Sequence, residues 1–525
     1  MVTDQSKLLN KFLNKLYGPW GFWLCALLIT LIHIAYVFFN QRPLGIDEAQ
    51  YWSWSEHLAW GYHSKSPMIA WLIYLAVKLC GANLFSIRFF SPLAYAVSAL
   101  MIYFSAEKLY ASQKISFYSA LLFILLPGVT FSASIISTDP FLILFWSIGL
   151  FNFLDALEKE SNQPNDNKKN SLNAWMTLGL AMGLGLMTKY TALVFILGVV
   201  FSWVILKIKF EKFKNLKFSY LSLSLLIAFI IFLPNLIWNA AHGWVTVLHV
   251  SEHNVDLAQA GWHWGALGDF ILAQIGIMGP VFFILFCFAL FKNLFFYKKI
   301  NKNINMPSVI LFFQIAPLLL GIMIEAVVSH AYGNWAAPIY IAVCMMIAHG
   351  VFSKNYKIIK IIFMIGLLIN ILLGACFYLY ELTYPKGFSL FGVSSSRWMH
   401  HDPFYQNRPW PVLGQALMNF RMAHWGAKYL FNDRAILSEL MFYLKLDPTE
   451  VYSFNPNHSP AVQYDLSTRL TQGSDYIFIT EDKNYKNSPV ILSFESIKLL
   501  DTVSVFIKNK NTDFYVLALK NFKGY

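Results

Sequence analysis

Charged side chains are scarce in this 525-residue chain. Asp, Glu, Lys and Arg together make up 13% of it and hydrophobic residues 57%, whereas about a quarter of a soluble domain is charged. With a mean hydropathy of +0.50, a soluble globular protein is excluded. Cysteine is nearly absent: Cys25, Cys80, Cys287, Cys344 and Cys376 all fall in apolar segments, so packing thiols are expected and no disulfide framework. There is no internal repeat of fixed period, and low complexity is confined to "EKESNQPNDNKKN" at 158–170, which excludes a solenoid or array. A cleavable leader is not expected either, because the first apolar run is too long and no small-residue cleavage site follows it.

What is present is a series of apolar runs, each able to cross about 30 Å of hydrocarbon. Spans are expected at 18–40, 86–107, 115–134, 138–155, 172–187, 190–206, 219–240, 265–291, 307–328, 335–352 and 361–380, eleven in all. The net charge of +12 would suit a nucleic-acid partner, but its placement argues otherwise. Lysines crowd alternate loops (Lys108 and Lys114; Lys159, Lys168 and Lys169; five from Lys207 to Lys217; Lys292 to Lys302; Lys354 to Lys360), and the other loops are almost bare of Lys and Arg. The positive-inside rule puts the lysine-bearing loops, and the N-terminus with Lys7, Lys11 and Lys15, in the cytoplasm. The first loop and everything after Tyr380 are then external, and no nucleic-acid partner is expected.

Two external regions follow. The first loop, 41–84, is too polar to span, yet "WSWSEHLAW" and "MIAWLIYLAVKLCG" resemble helices lying in the interface. It carries Asp47 and Glu48 side by side, and carboxylates lining a cavity at the membrane surface are by default functional. Helix capping in water explains the same pair, and both readings stand on spacing alone. From about Leu382 the runs shorten to strand length in "AKYLFND", "EVYSFN", "DYIFIT", "TVSVFIK" and "DFYVLALK", with a helix at 436–445. The expected architecture is an all-α polytopic membrane domain over 1–381, with interfacial helices in its first loop, and a small external α/β domain over 382–525.

A first-loop acid pair followed by a Lys-x-Pro element, Lys65 to Pro67, resembles the polyprenyl-phosphate-sugar-dependent glycosyltransferases of the GT-C class. Nearest in pattern is the bacterial branch related to protein O-mannosyltransferases, lipid A aminoarabinose transferases and rhizobial galacturonosyltransferases. "STDPFLILFW" (137–146), "LMTKYTAL" (186–193), "GNWAAPIYI" (333–341), "SELMFYL" (438–444) and "AVQYDL" (461–466) follow in the family's order.

The resemblance implies an inner-membrane enzyme moving one sugar, with inversion, from a polyprenyl phosphate carrier to a lipid or glycan acceptor in the bacterial envelope. It implies Asp47 as catalytic base, Glu48 as a neighbour orienting the acceptor or a metal, and Asp139 as a second acid, although a helix N-cap before Pro140 explains Asp139 equally well locally. Lys65, and secondarily Lys189, would hold the carrier phosphate; a snorkelling interfacial lysine is the plain alternative for Lys65. The aminoarabinose branch carries an arginine three places after the aspartate and an acid just before the lysine, and here Gln50 and Ser64 stand instead. That departure argues against aminoarabinose as the sugar and against a metal resting on that acid.

His63, with His249 and His253 of "HVSEH", is a candidate acceptor or metal site, a divalent cation being compatible with imidazole and carboxylate together. "HVSEH" also imitates an inverted zinc-protease motif, but a helix and a third ligand would be needed, and a polar loop over the cavity is expected instead. Protein hydroxyls are the alternative acceptor. A transporter or flippase would show repeat symmetry and midplane ionisable residues, while Glu325 and Asp269 are peripheral; a scaffold protein would need no acid-and-lysine loop.

Overall fold

The structure, a computed structural model, describes residues 16–162, 168–254, 262–297, 305–354, 356–383, 402, 404–457, 460, 462–507 and 510–525. The chain is a multi-pass membrane protein, mostly helical, with a five-stranded sheet near its C-terminus. Among the described residues seven helices are long and apolar enough to span: Pro19–Phe39, Leu84–Tyr110, Asp139–Ser161, Ala192–Lys209, Phe218–Ala241, Met306–Val328 and Lys357–Thr383. Their outward faces are apolar, as with Leu24, Leu27, Leu28 and Leu31 of the first, because lipid rather than water covers them.

Among the described residues seven helices, or eight if the bent pair below is one span, pass this test where eleven spans were expected, and the reasons differ from place to place. The stretch expected to span 265–291 is two helices, Trp264–Met278 and Pro280–Phe291, bent by 116°. Gly279 makes the break: its φ of +81 suits glycine alone, and Pro280 cannot continue the hydrogen-bond ladder. Asn370 steadies the corner by donating its Nδ2 to the Met278 carbonyl at 3.1 Å. The expected span 115–134 is divided into Gln113–Ile124 and Pro127–Ser132, with Pro127 starting the second piece. Instead of a span at 335–352 there is a short 3-10 turn and the 14-residue helix Ile339–Phe352, about 21 Å long at 1.5 Å per residue and short of a bilayer core. Lys168–Leu186 covers 172–187 but opens with two lysines and several polar residues.

By contact pattern the chain forms two compact units, one of residues 1–37, 88–237 and 250–378, the other of 38–87, 238–249 and 379–525. The first is the helical bundle, centred on residues such as Phe22, Tyr103, Phe123, Trp146 and Trp175. The second joins the first loop to the tail, an association that sequence separation hides. The tail sheet runs in the order β2-β1-β3-β5-β4, with β1 Tyr429–Phe431, β2 Val451–Ser453, β3 Tyr476–Thr480, β4 Phe494–Ile507 and β5 Lys510–Phe522. β1 pairs in parallel with β2 and β3, whereas β5 is antiparallel to β3 and β4. All five strands were expected, though β4 begins earlier, at Phe494. Every residue of β3 is buried, which is why its apolar run is continuous.

Gly279→Ala should destabilise the bundle by about 1–3 kcal/mol, since it forces a side chain into a glycine-only conformation and against the Asn370 carboxamide. Thermal unfolding of the two proteins in the same detergent checks this.

Candidate active site

The first-loop helix Ile46–Ser55 starts where Gly45 donates its N–H to Glu48 Oε2 at 2.9 Å, so the acid at the third helical position closes the first turn. Glu48 is thereby buried and engaged in capping, as are eight of the ten helix residues in being buried. Asp47 is the exposed residue of this helix. Arg434 Nη1 donates to Asp47 Oδ1 at 2.9 Å and to Gln50 Oε1 at 2.7 Å. Arg434 opens the tail helix Arg434–Tyr443, which Asp433 caps by accepting the Ile436 N–H at 2.9 Å. A cation at a helix N-terminus opposes the helix dipole, and the Asp47 carboxylate offsets that. The Asp47 and Arg434 side chains are 63% and 45% exposed, so the pair contributes at most about 1 kcal/mol to stability. The two helices also meet through the edge-to-face pair Trp52 and Phe442, 4.9 Å between centroids, and through the Leu44 N–H, which donates to the Tyr443 hydroxyl at 3.2 Å.

Past the helix, the loop closes where the Tyr62 N–H donates to the Lys65 carbonyl at 3.1 Å, and Tyr62 stacks on Trp54 with centroids 4.8 Å apart. The Tyr62 hydroxyl accepts from the Ala59 N–H and can donate to the Trp54 carbonyl; burial pushes its pKa above the ordinary phenol range, so it stays neutral. Lys65 is half-buried. The His63 N–H donates to Gln463 Oε1 at 2.7 Å, its Nε2 to the Pro460 carbonyl at 2.9 Å, and its ring lies 4.9 Å from that of His249. "HVSEH" sits on the helix Val245–Asn254 and not in a loop as expected, anchored where Thr246 donates its hydroxyl to the Tyr62 carbonyl at 2.8 Å. The side chains of Glu252 and His253 lie outside the described residues. Among the described residues no three His, Cys, Asp or Glu side chains group closely enough to hold a metal ion.

In the helical bundle a second polar centre forms. Lys189 Nζ donates to Asp139 Oδ1 at 2.9 Å and Asn334 Nδ2 to Asp139 Oδ2 at 2.6 Å, with the Asp139 side chain 8% and the Lys189 side chain 20% exposed. The motifs "STDP", "LMTKYTAL" and "GNWAAPIYI" thus converge on one carboxylate. Its oxygens go to Lys189 and Asn334 and not to the first turn of its own helix, so capping does not account for it. Nearby, the Tyr190 hydroxyl donates to Asn235 Oδ1 at 2.8 Å.

Sequence reasoning did not single out Arg434 or Asn235. Arg434 stands 387 residues from Asp47, and the one local signal is its unfavourable place at a helix start.

Residues 64–238 match the profile of a family described as dolichyl-phosphate-mannose-protein mannosyltransferase. The chain is 28% identical over 376 residues to the lipid A galacturonosyltransferase RgtD of Rhizobium johnstonii, covering 70% of this chain and 73% of that one. It is 30% identical over 182 residues to an undecaprenyl phosphate-alpha-4-amino-4-deoxy-L-arabinose arabinosyl transferase of Pseudomonas savastanoi, about a third of either chain. Its fold is similar to that of ArnT from Cupriavidus metallidurans bound to undecaprenyl phosphate, with a TM-score of 0.60, 13% identity, and 95% and 98% of the two chains covered. The chain is a glycosyltransferase, similar in sequence and fold to those of the GT-C class. Lys65, Asp139 and Lys189 of this glycosyltransferase lie within the matched family segment, whereas Asp47 and Glu48 precede it.

The Asp139 pair generates a stability prediction. Lys189→Met leaves a buried carboxylate without its cation and should cost roughly 3 kcal/mol. Adding Asp139→Asn should recover part of that loss, giving a non-additive double-mutant cycle by thermal unfolding.

Proposed function

We propose that this glycosyltransferase moves one sugar from a polyprenyl phosphate carrier to an envelope acceptor, lipid A or core oligosaccharide, with inversion at the anomeric carbon. The relative matching most of the chain is by name a lipid A galacturonosyltransferase, and the fold is similar to a protein that binds undecaprenyl phosphate. The observation that carries the reading is Asp47: a carboxylate exposed on a helix with eight of its ten residues buried, with one oxygen held by Arg434 and no bond to the other among the described residues.

In this reading Asp47 Oδ2 takes the proton of the acceptor hydroxyl as that oxygen attacks the anomeric carbon. The bond from that carbon to the phosphate oxygen breaks, and polyprenyl phosphate departs needing little acid help. Lys65 binds the phosphate in the donor and steadies it as it leaves. Asp139, with both oxygens engaged, is the weaker candidate for base, and Lys189 a secondary phosphate contact. Glu48 shapes the helix that carries Asp47. The membrane domain is assigned to 1–381 and the α/β domain to 382–525, with the N-terminus cytoplasmic and the first loop and tail at the periplasmic face of the inner membrane. Transfer to protein hydroxyls is the second reading, favoured by the description of the matching family; lipid A and a Ser/Thr-rich peptide offered side by side distinguish the two.

Asp47→Asn should lower turnover on the order of 100-fold to 10,000-fold, the usual worth of a general base, while carrier affinity barely moves. Lys65→Ala should lower donor affinity and turnover together. Steady-state transfer from a synthetic undecaprenyl-phosphate sugar in detergent, with carrier binding measured separately, checks both; wild-type turnover in Asp47→Asn would remove it as base. Orientation is read with an impermeant thiol reagent on spheroplasts in a cysteine-free background. Exposed positions His57 and Asn457, changed to cysteine, should react, and Lys214, changed likewise, should not.

A further inference from the structure

We propose that Arg434 is a positioning residue for the Asp47 carboxylate, an inference that rests on the reading of Asp47 as base. An exposed aspartate at a helix start samples several rotamers unless something holds it. Arg434 Nη1 carries two hydrogens, and the structure directs one to Asp47 Oδ1 at 2.9 Å and the other to Gln50 Oε1 at 2.7 Å. Gln50 is buried one helical turn beyond Ile46, so the guanidinium nitrogen is tied to a fixed point as well as to the carboxylate it restrains. Its backbone is fixed too, since Asp433 caps the helix that Arg434 opens. With Oδ1 held, Oδ2 is left as the proton acceptor in one orientation.

Magnitude favours geometry over stability as the purpose. An ion pair with side chains 45% and 63% exposed adds little to folding, so its main consequence is where the carboxylate points. A guanidinium neither gives nor takes a proton in this chemistry, and it acts on the reaction only through Asp47. The tail thereby contributes to the first-loop site through a particular atom.

The experiment compares Arg434→Gln, Arg434→Lys, Asp47→Asn and the double variant Asp47→Asn with Arg434→Gln. The readouts are turnover with undecaprenyl-phosphate galacturonic acid and purified lipid A, affinity for undecaprenyl phosphate, and melting temperature. Arg434→Gln should lower turnover by roughly 10- to 100-fold, the scale of a misplaced catalytic group, with carrier affinity and melting temperature unchanged. Arg434→Lys should recover part of it. In the Asp47→Asn background the second change should cost nothing further, because the residue it positions is already disabled. Equal losses in both backgrounds, or a loss of carrier affinity with turnover kept, would overturn positioning. A slow Asp47→Asn beside a fully active Arg434→Gln would overturn positioning alone, and a fully active Asp47→Asn would remove the base and this proposal with it.

Discussion

Packing of the first-loop helix Ile46–Ser55 against the tail helix Arg434–Tyr443 is the constraint on which the candidate site depends. A ten-residue helix is marginal by itself in water, and tertiary burial supplies what local propensity does not. Here eight of its ten residues are buried, and the apolar contact is made by Trp52 on Phe442. Once that face is covered, the helix has one way to present its acids. Glu48 turns back to close the first turn and Asp47 turns out, so two adjacent carboxylates of the same chemistry acquire different work. His63 is tied to the tail by Gln463 and Pro460, and the Val245–Asn254 helix joins through Thr246, which makes the loop a packed structure and not a tether.

The helical bundle answers to the cost of polar groups out of water. Asp139 is nearly enclosed, and such a carboxylate persists only when its charge and both oxygens are matched. Lys189 and Asn334 do that. Trp146, far from Gln314 in sequence, meets the same cost by donating its buried indole N–H to the Gln314 amide oxygen at 2.7 Å. The broken helices obey the same rule. Gly279 frees backbone groups at a bend of 116°, and Asn370 takes up the Met278 carbonyl left there.

Much was legible in the residues themselves. The scarcity of charge established a membrane protein, and strand-length apolar runs after 427 marked the five strands of the sheet. The ordered motifs led to a GT-C glycosyltransferase. What the runs could not disclose was continuity: 115–134 and 265–291 are apolar on average, yet Pro127 and the Gly279 to Pro280 step break them, because hydropathy averages over positions that a backbone must pass one at a time. "HVSEH" likewise looked like loop by polarity and lies on a helix, held by a bond from Thr246 to a residue 184 positions away.

The sequence alone determined the solvent this chain lives in, its membrane-and-sheet composition and the residues available for chemistry, since these follow from composition, period and local pattern. It left Asp47, Glu48 and Asp139 each poised between a cap and a functional group, because the first turn of a helix favours a carboxylate whatever its purpose. Only tertiary structure divided them. Glu48 caps its own helix, Asp139 bonds to Lys189 and Asn334 across 50 and 195 positions, and Asp47 receives Arg434 across 387. Partnership at that separation is decided by packing, which no local stretch of residues encodes by itself.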